Sequence, residues 1–219
     1  MEFVVFYSQE KDIQNYLNAG WKFKYRKFGR DPKKFLKQFP QDFQNELLKA
    51  KTKQEAVKVI KNFWKKVKSP EFDKNTKLII KQTEKILNTE KEKIIKPLES
   101  LYDKPFPFSE IKVYLTTFPI NPYNYQEMWF MLPRKASPLQ IINTAKHELN
   151  HFMFYHYYSY LREKLGEEKL EKLKEALVIL TNPEGNDKPE VKELEEYLKT
   201  LSEKPIEEII ERAINSKYL

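Results

Sequence analysis

Two histidines and a glutamate stand close together in the segment His147-Glu148-Leu149-Asn150-His151. On a helix, residues four apart project from the same face, so His147 and His151 can bind one ion. Glu148 lies about 100° further round the helix, where its carboxylate can reach a water on that ion. Zinc lowers the pKa of such a water towards roughly 7, and an adjacent carboxylate takes its proton as the water attacks a carbonyl. The spacing therefore predicts zinc-dependent hydrolysis with Glu148 as the general base.

The composition limits which other groups can take part. The 219 residues include three histidines and no cysteine, which excludes Cys-ligated zinc, thiol catalysis and a disulfide scaffold. With only four glycines, the chain also lacks a glycine-rich phosphate loop. No segment approaches the roughly 20 apolar residues of a membrane span, and residues 1–8 are typical of a strand rather than a secretory signal. We therefore expect a cytoplasmic protein without a membrane span.

The residues around the motif match a longer pattern. Thr144 stands three residues before His147, uncharged residues occupy the next and the inner positions, and the apolar Phe152 follows His151. Upstream, residues 111–117 and 127–132 have the composition of strands, and Ser137-Pro138 is a helix start. In these features, residues 111–182 resemble the zincin metallopeptidases. The resemblance implies a peptide or protein substrate that pairs with the strand before the motif helix, here residues 125–132.

The third protein ligand separates the zincin subfamilies. Metzincins require a third histidine six residues after the second, behind a glycine, whereas here His156 is five residues on and Phe154 replaces the glycine. On a continuing helix, His156 points roughly 140° away from His151, so we expect it not to be a ligand. Gluzincins instead use a glutamate from the next helix. The candidates are Glu163, Glu167, Glu168, Glu171, Glu175 and Glu184.

Glu175 is the preferred third ligand. Residues 176–180 follow it as an unbroken apolar run, and an acid that opens a buried run needs a partner such as a cation. Glu184, which follows Pro183 in a loop, is the second choice. The other candidates lie in Lys/Glu alternation typical of a solvated face. The resemblance thus gives a gluzincin-like zinc site of His147, His151 and Glu175.

This assignment sets a condition on the two helices. A straight helix from His151 to Gly166 covers about 22 Å, whereas Gly166 to Glu175 returns only about 13 Å. Glu175 can therefore reach the histidines only if the motif helix ends earlier, near residues 158–159, or if the two helices cross steeply.

Zincins also use a donor that stabilises the oxyanion, often a tyrosine, histidine or arginine. Tyr155 lies four residues after His151 and so on nearly the same helix face. Three further tyrosines, Tyr157, Tyr158 and Tyr160, are close in sequence. We take Tyr155 as the candidate catalytic donor.

The net charge of +8 is confined to the first third of the chain. Residues 1–70 carry 17 Lys/Arg against 7 Asp/Glu, and residues 71–219 carry 23 against 25. Basic residues interleaved with aromatic ones are typical of nucleic-acid surfaces. However, Phe35, Phe39 and Phe43 stand four apart, which favours a helical stripe buried in the core with solvated lysines around it.

Taken together, the patterns predict a helix-rich α+β fold. We expect residues 1–100 to form a basic, mainly helical segment and residues 101–219 to form a zincin-like catalytic domain, with one compact unit as an alternative. The zincin-like domain would contain a small sheet, the HExxH helix and a following glutamate helix. The alternative function is a non-catalytic zincin-like binding or regulatory protein that uses the basic surface on nucleic acid. Such binding would weaken with salt and would be lost when lysines in residues 22–68 are neutralised.

Overall fold

The computed structural model describes residues 1–21, 35–182 and 188–219. Its sheet has four strands in the order β1-β2-β4-β3, formed by Glu2–Tyr7 (β1), Glu110–Thr116 (β2), Tyr123–Asn124 (β3) and Trp129–Pro133 (β4). Strands β1, β2 and β4 are parallel to their neighbours, and the short β3 runs antiparallel to β4 at the edge. The sheet is therefore mixed.

Helices account for most of the rest of the described chain. They are α1 (Gln9–Asn15), α2 (Gln41–Lys49), α3 (Lys53–Val67), α4 (Pro70–Thr89), α5 (Lys91–Tyr102), α6 (Pro138–Tyr158), α7 (Leu161–Leu177), α8 (Lys192–Lys199) and α9 (Ile206–Ile214). A π-helical segment, Tyr16–Trp21, continues α1, and short 3₁₀ turns occupy Val178–Leu180 and Pro189–Val191. The predicted helix-rich α+β class agrees with this architecture.

The main core lies between one face of the sheet and the helices. Alternate residues of the parallel strands point to this side, including Phe3, Val113 and Phe130, and all three are fully buried. Helix α4 packs on β1, while α6 contacts α4, α5 and α7. The same core includes residues from β1 to α9. Strand β1 and helices α4 and α5, all from the first 102 residues, thus help to support the motif helix α6.

A second apolar cluster gathers aromatic residues of the basic segment. Phe43 and Trp64 are buried there, and Phe35 and Phe39 pack against them. The predicted burial in the core is confirmed for Phe43 and in part for Phe35 and Phe39, but the three do not share one helix, because Phe39 lies in a bend before α2 begins at Gln41. The rings of this cluster are therefore packed inside the protein and are not free to stack on bases.

Helical periodicity in the sequence predicts one helix over residues 74–101, with Pro97 as a kink or boundary, and another over residues 32–38. The helical run over residues 74–101 divides at Glu90, and Pro97 lies inside α5 without ending it. Sequence reasoning missed α1 and its π-helical continuation. The helix predicted for residues 32–38 begins outside the described residues. Across the described ranges, we find no helix that combines the length and apolar character of a membrane span.

Candidate metal centre

Helix α6 begins at a capping box that fixes the position of the motif. The Ser137 hydroxyl accepts a bond from the Gln140 backbone N–H at 3.3 Å, and the Gln140 side chain accepts one from the Ser137 backbone N–H at 2.9 Å. Pro138 occupies the first turn, where its missing N–H costs nothing. Ten residues on, the rings of His147 and His151 lie 4.5 Å apart between centroids. The two imidazoles therefore share one face of the helix.

Glu175 reaches the two histidines because α6 ends early. The helix stops at Tyr158, which fulfils the condition that the sequence set on its length. Helix α7 follows and turns at Gly166, whose φ of 72° is a conformation that favours glycine. Glu175 Oε2 then lies 3.6 Å from both His147 Nε2 and His151 Nε2. The three predicted ligands are thus brought together.

The donor set fits a zinc ion. One ligand atom from each of His147, His151 and Glu175 lies within 4.8 Å of the others. Nitrogen and oxygen ligands about 2.0–2.1 Å from a tetrahedral zinc stand roughly 3.4 Å apart, close to the two 3.6 Å distances seen here. Zinc would complete its coordination with a non-protein ligand, as in catalytic rather than structural sites.

His151 is in the protonation state that a ligand needs. Its side chain is only 1% exposed. Burial and the positive charge of Lys174 hold the pKa of His151 well below its usual value, so the ring is neutral. Its Nδ1 is buried and has no hydrogen-bond partner among the described residues.

Glu148 lies beside this group with one oxygen unengaged. The residue is buried, and among the described residues its Oε2 has no hydrogen-bond partner. Burial raises the pKa of Glu148 to about 7, an effect that His147 partly offsets and Glu175 reinforces. A carboxyl group with a pKa near neutrality can both accept and return a proton at that pH.

A network of buried charges surrounds the third ligand. Lys174 is 1% exposed; its ammonium donates to the Tyr123 hydroxyl and to Glu171 Oε2 at 2.7 Å, and it lies 3.4 Å from Glu175 Oε1. Lys188 Nζ lies 2.5 Å from the same Glu175 oxygen. Burial alone would raise the pKa of Glu175, but electrostatic interactions with His151 and Lys174 and hydrogen bonds from both histidines hold this pKa well below its usual value.

Sequence reasoning missed these surrounding residues, although one of them leaves a signal. One helical stripe contains Leu170, Leu173, Lys174 and Leu177, at positions i, i+3, i+4 and i+7, and the three leucines are fully buried. A lysine on such a stripe must be buried and must find a counter-charge. Tyr123 and Lys188 stand in turn or loop sequence, where no periodicity marks them.

Tyr155, the predicted oxyanion donor, directs its hydroxyl elsewhere. That hydroxyl donates to Glu171 Oε1, and the Tyr155 ring lies 5.5 Å from the ring of Tyr125. The ring of Tyr123 lies 5.2 Å from that of His151, one of the candidate ligands. The catalytic role of Tyr155 stays a prediction, and its hydrogen bond gives it a second, structural role.

A conservative substitution tests that role. If the chain hydrolyses peptides, as the sequence predicts, Tyr155→Phe should lower kcat/KM by less than about tenfold, because the Tyr155 hydroxyl is engaged with Glu171. Removal of a true oxyanion donor costs about 10²–10³-fold. Steady-state kinetics with zinc-loaded protein distinguish these values, with Tyr157→Phe as the matched control. A loss of a hundredfold or more in Tyr155→Phe alone would make Tyr155 the donor.

The remaining candidates lie apart from the histidine–glutamate group. His156 is exposed, 3.5 Å from the Tyr125 hydroxyl and beside the ring of Phe108. Three of the candidate glutamates are exposed on α7, namely Glu163, Glu167 and Glu168. Glu184 lies outside the described residues.

The expected substrate-binding edge is in a different place. Residues 125–132 were predicted as the edge strand, but β4 begins at Trp129 and is bonded on both sides, to β2 and to β3. That part of the prediction is wrong, because residues 122–124 turn back and cover β4, as the 2.9 Å bond from Met131 N–H to Pro122 O illustrates. In the described part of the chain, β3, which includes Tyr123, is the edge strand of the sheet on this side.

Searches with family models, among curated proteins and among solved structures found no match to this chain.

Proposed function

We propose that this chain is a zinc-dependent metallopeptidase of the gluzincin type. His147, His151 and Glu175 would bind zinc, and Glu148 would act as the general base. The observation that carries the proposal is the convergence of two imidazole Nε2 atoms on one carboxylate oxygen, 3.6 Å from each, beside a buried glutamate. A neutral His151 and an ionised Glu175 are the forms in which these groups bind a metal.

Zinc held by these residues would lower the pKa of a water towards about 7 and polarise the carbonyl under attack. Glu148 would accept a proton from the attacking water through its unengaged Oε2 and then donate that proton to the leaving amine. Its raised pKa supports this exchange, because a carboxylate with a very low pKa would return the proton poorly.

The sheet edge suggests how a peptide would be oriented. Within residues 1–21, 35–182 and 188–219, strand β3 has β4 on one side and no strand on the other, so an extended peptide could add to it by backbone hydrogen bonding. The ring contact between Tyr123 and His151 places this edge next to the metal ligands. A peptide bound there would run past the side chains of Tyr123 and Tyr125.

Metal analysis with activity assays tests the proposal. We expect purified protein to bind one zinc per chain and to hydrolyse peptides, to lose this activity with a chelator and to regain it with zinc. A protein without zinc and without zinc affinity would contradict the proposal. If the protein binds zinc but hydrolyses no peptide in a diverse library, the proposed metal site stands and the proposed peptidase activity is wrong.

The non-catalytic alternative keeps one supporting observation. On α3, Lys58, Lys61 and Lys65 recur at helical spacing and are all exposed. They form a positive face without interleaved aromatic rings, because Trp64 of the same helix is buried. Such a face indicates only that a partner would be negatively charged, whereas the histidine–glutamate group has the ligand arrangement of a particular kind of metal site. The peptidase is therefore the better supported function.

A further inference from the structure

The carboxylate of Glu175 lies between the two histidines on one side and two lysines on the other. Its Oε2 faces the two histidines, while its Oε1 contacts Lys174 at 3.4 Å and Lys188 at 2.5 Å. The side chains of both lysines are almost completely buried, with 1% and 9% exposed. A metal at the histidines would therefore share this carboxylate with two ammonium groups.

The two lysines stabilise the arrangement of Glu175 in the metal-free protein but oppose the binding of a metal ion. In the metal-free protein they compensate the buried charge of Glu175 and fix its Oε1, which leaves Oε2 towards the histidines. When a divalent cation binds, the same positive charges lie a few ångströms from it in a poorly screened interior and repel it. Lys188 Nζ lies closer to Glu175 Oε1 than Lys174 Nζ does, at 2.5 Å against 3.4 Å, and Lys174 also contacts Glu171 Oε2 at 2.7 Å.

We propose that Lys188, together with Lys174, makes this an exchangeable metal site. The lysines preassemble the ligands in the absence of metal and lower the affinity for the metal that binds. Lys188 is thus a positioning residue that acts through Glu175. The inference rests on the proposed metal site but does not require that the site hydrolyse peptides.

Whether the removal of Lys188 strengthens or weakens zinc binding distinguishes the proposed role from a role in orienting Glu175 alone. If Lys188 only oriented Glu175, its removal would weaken zinc binding. Lys174 still fixes the same oxygen when Lys188 is replaced, so the loss of orientation is small. Repulsion between an ammonium group and a doubly charged ion at this range is larger. Neutralising Lys188 should therefore strengthen zinc binding.

Zinc affinity of the metal-free full-length protein, measured by competition with a chromogenic chelator, tests this sign. We expect Lys188→Gln, which keeps a hydrogen-bond donor, and Lys188→Met to bind zinc at least about tenfold more tightly than the natural chain. Lys188→Arg keeps the charge and should stay within about threefold. Lys66→Gln makes the same change in net charge at a lysine that is 72% exposed, and should also bind zinc like the natural chain.

A second readout covers any loss of stability in the variants. The rise in Tm produced by a fixed excess of zinc should be larger in Lys188→Gln than in the natural chain, even if the metal-free variant melts earlier. If the natural chain binds zinc and both Lys188→Gln and Lys188→Met bind it equally or more weakly, this inference is wrong and the proposed function is unaffected. Absence of zinc binding in every protein would overturn both it and the proposed function. Zinc binding by the neutral variants only would support the inference and contradict the proposed function.

Discussion

Replacement of Glu148 by glutamine should lower kcat/KM for peptide hydrolysis by about 10³-fold while zinc stays bound. Glutamine has nearly the same shape but cannot accept a proton from the attacking water, and a positioned general base contributes about 10²–10⁴-fold. The metal should be retained because the ligand set of His147, His151 and Glu175 does not include Glu148. Zinc content and steady-state kinetics of the same preparation measure both effects.

The matched control for this change is Glu168→Gln on the exposed face of α7. It alters the net charge by the same amount and should leave hydrolysis unchanged. Activity of Glu148→Gln within tenfold of the natural chain would remove Glu148 from the mechanism. A loss of zinc in the same variant would instead give Glu148 a role in holding the metal centre together.

Replacement of Glu175 by alanine should have two large effects, one on the metal and one on the fold. Zinc affinity should fall by at least about a hundredfold. Loss of a residue that only supports a metal ligand already lowers metal affinity by about 10–100-fold, and Glu175 is itself a proposed ligand. In the metal-free protein, the free energy of unfolding should fall by about 3 kcal/mol. The reason is that Lys174 and Lys188 are buried and lose a carboxylate that both contact.

Urea denaturation in the presence of a chelator measures the change in the free energy of unfolding separately from the change in zinc affinity. Glu167→Ala is the control, because Glu167 pairs with Arg162 at 3.0 Å on the surface, where such a pair contributes less than about 1 kcal/mol. If the metal-free Glu175→Ala protein were as stable as the natural chain, the buried ion pairs would contribute nothing to the fold. Unchanged zinc affinity would exclude Glu175 as a ligand.

The sequence predicted the local parts of the site well, because they depend on helical spacing. His147 and His151 are four residues apart on one helix, and their relative position follows from the geometry of that helix. Glu175 could be selected because the apolar run after it is buried, and Ala176, Leu177 and Val178 are indeed fully buried. These inferences needed no knowledge of distant contacts.

Sequence reasoning could not predict which distant residues meet at the site. Tyr123 lies in a two-residue strand, and Lys188 lies beyond the second gap in the described chain, so neither has a periodic pattern around it. The edge of the sheet was misplaced for a similar reason. Residues 122–124 pair with β4 through tertiary folding, and their turn-forming composition does not reveal a strand.

By itself, the sequence predicted the HExxH helix, candidate metal ligands that include no cysteine, and the requirement that α6 end early or cross the next helix steeply. Helical geometry and the absence of cysteine are sufficient for these conclusions. Only the tertiary structure decided that Glu175 faces the histidines with one oxygen and two buried lysines with the other. The physical reason is that burial of a charge depends on groups far apart in the chain, and those groups become neighbours only when the helices pack.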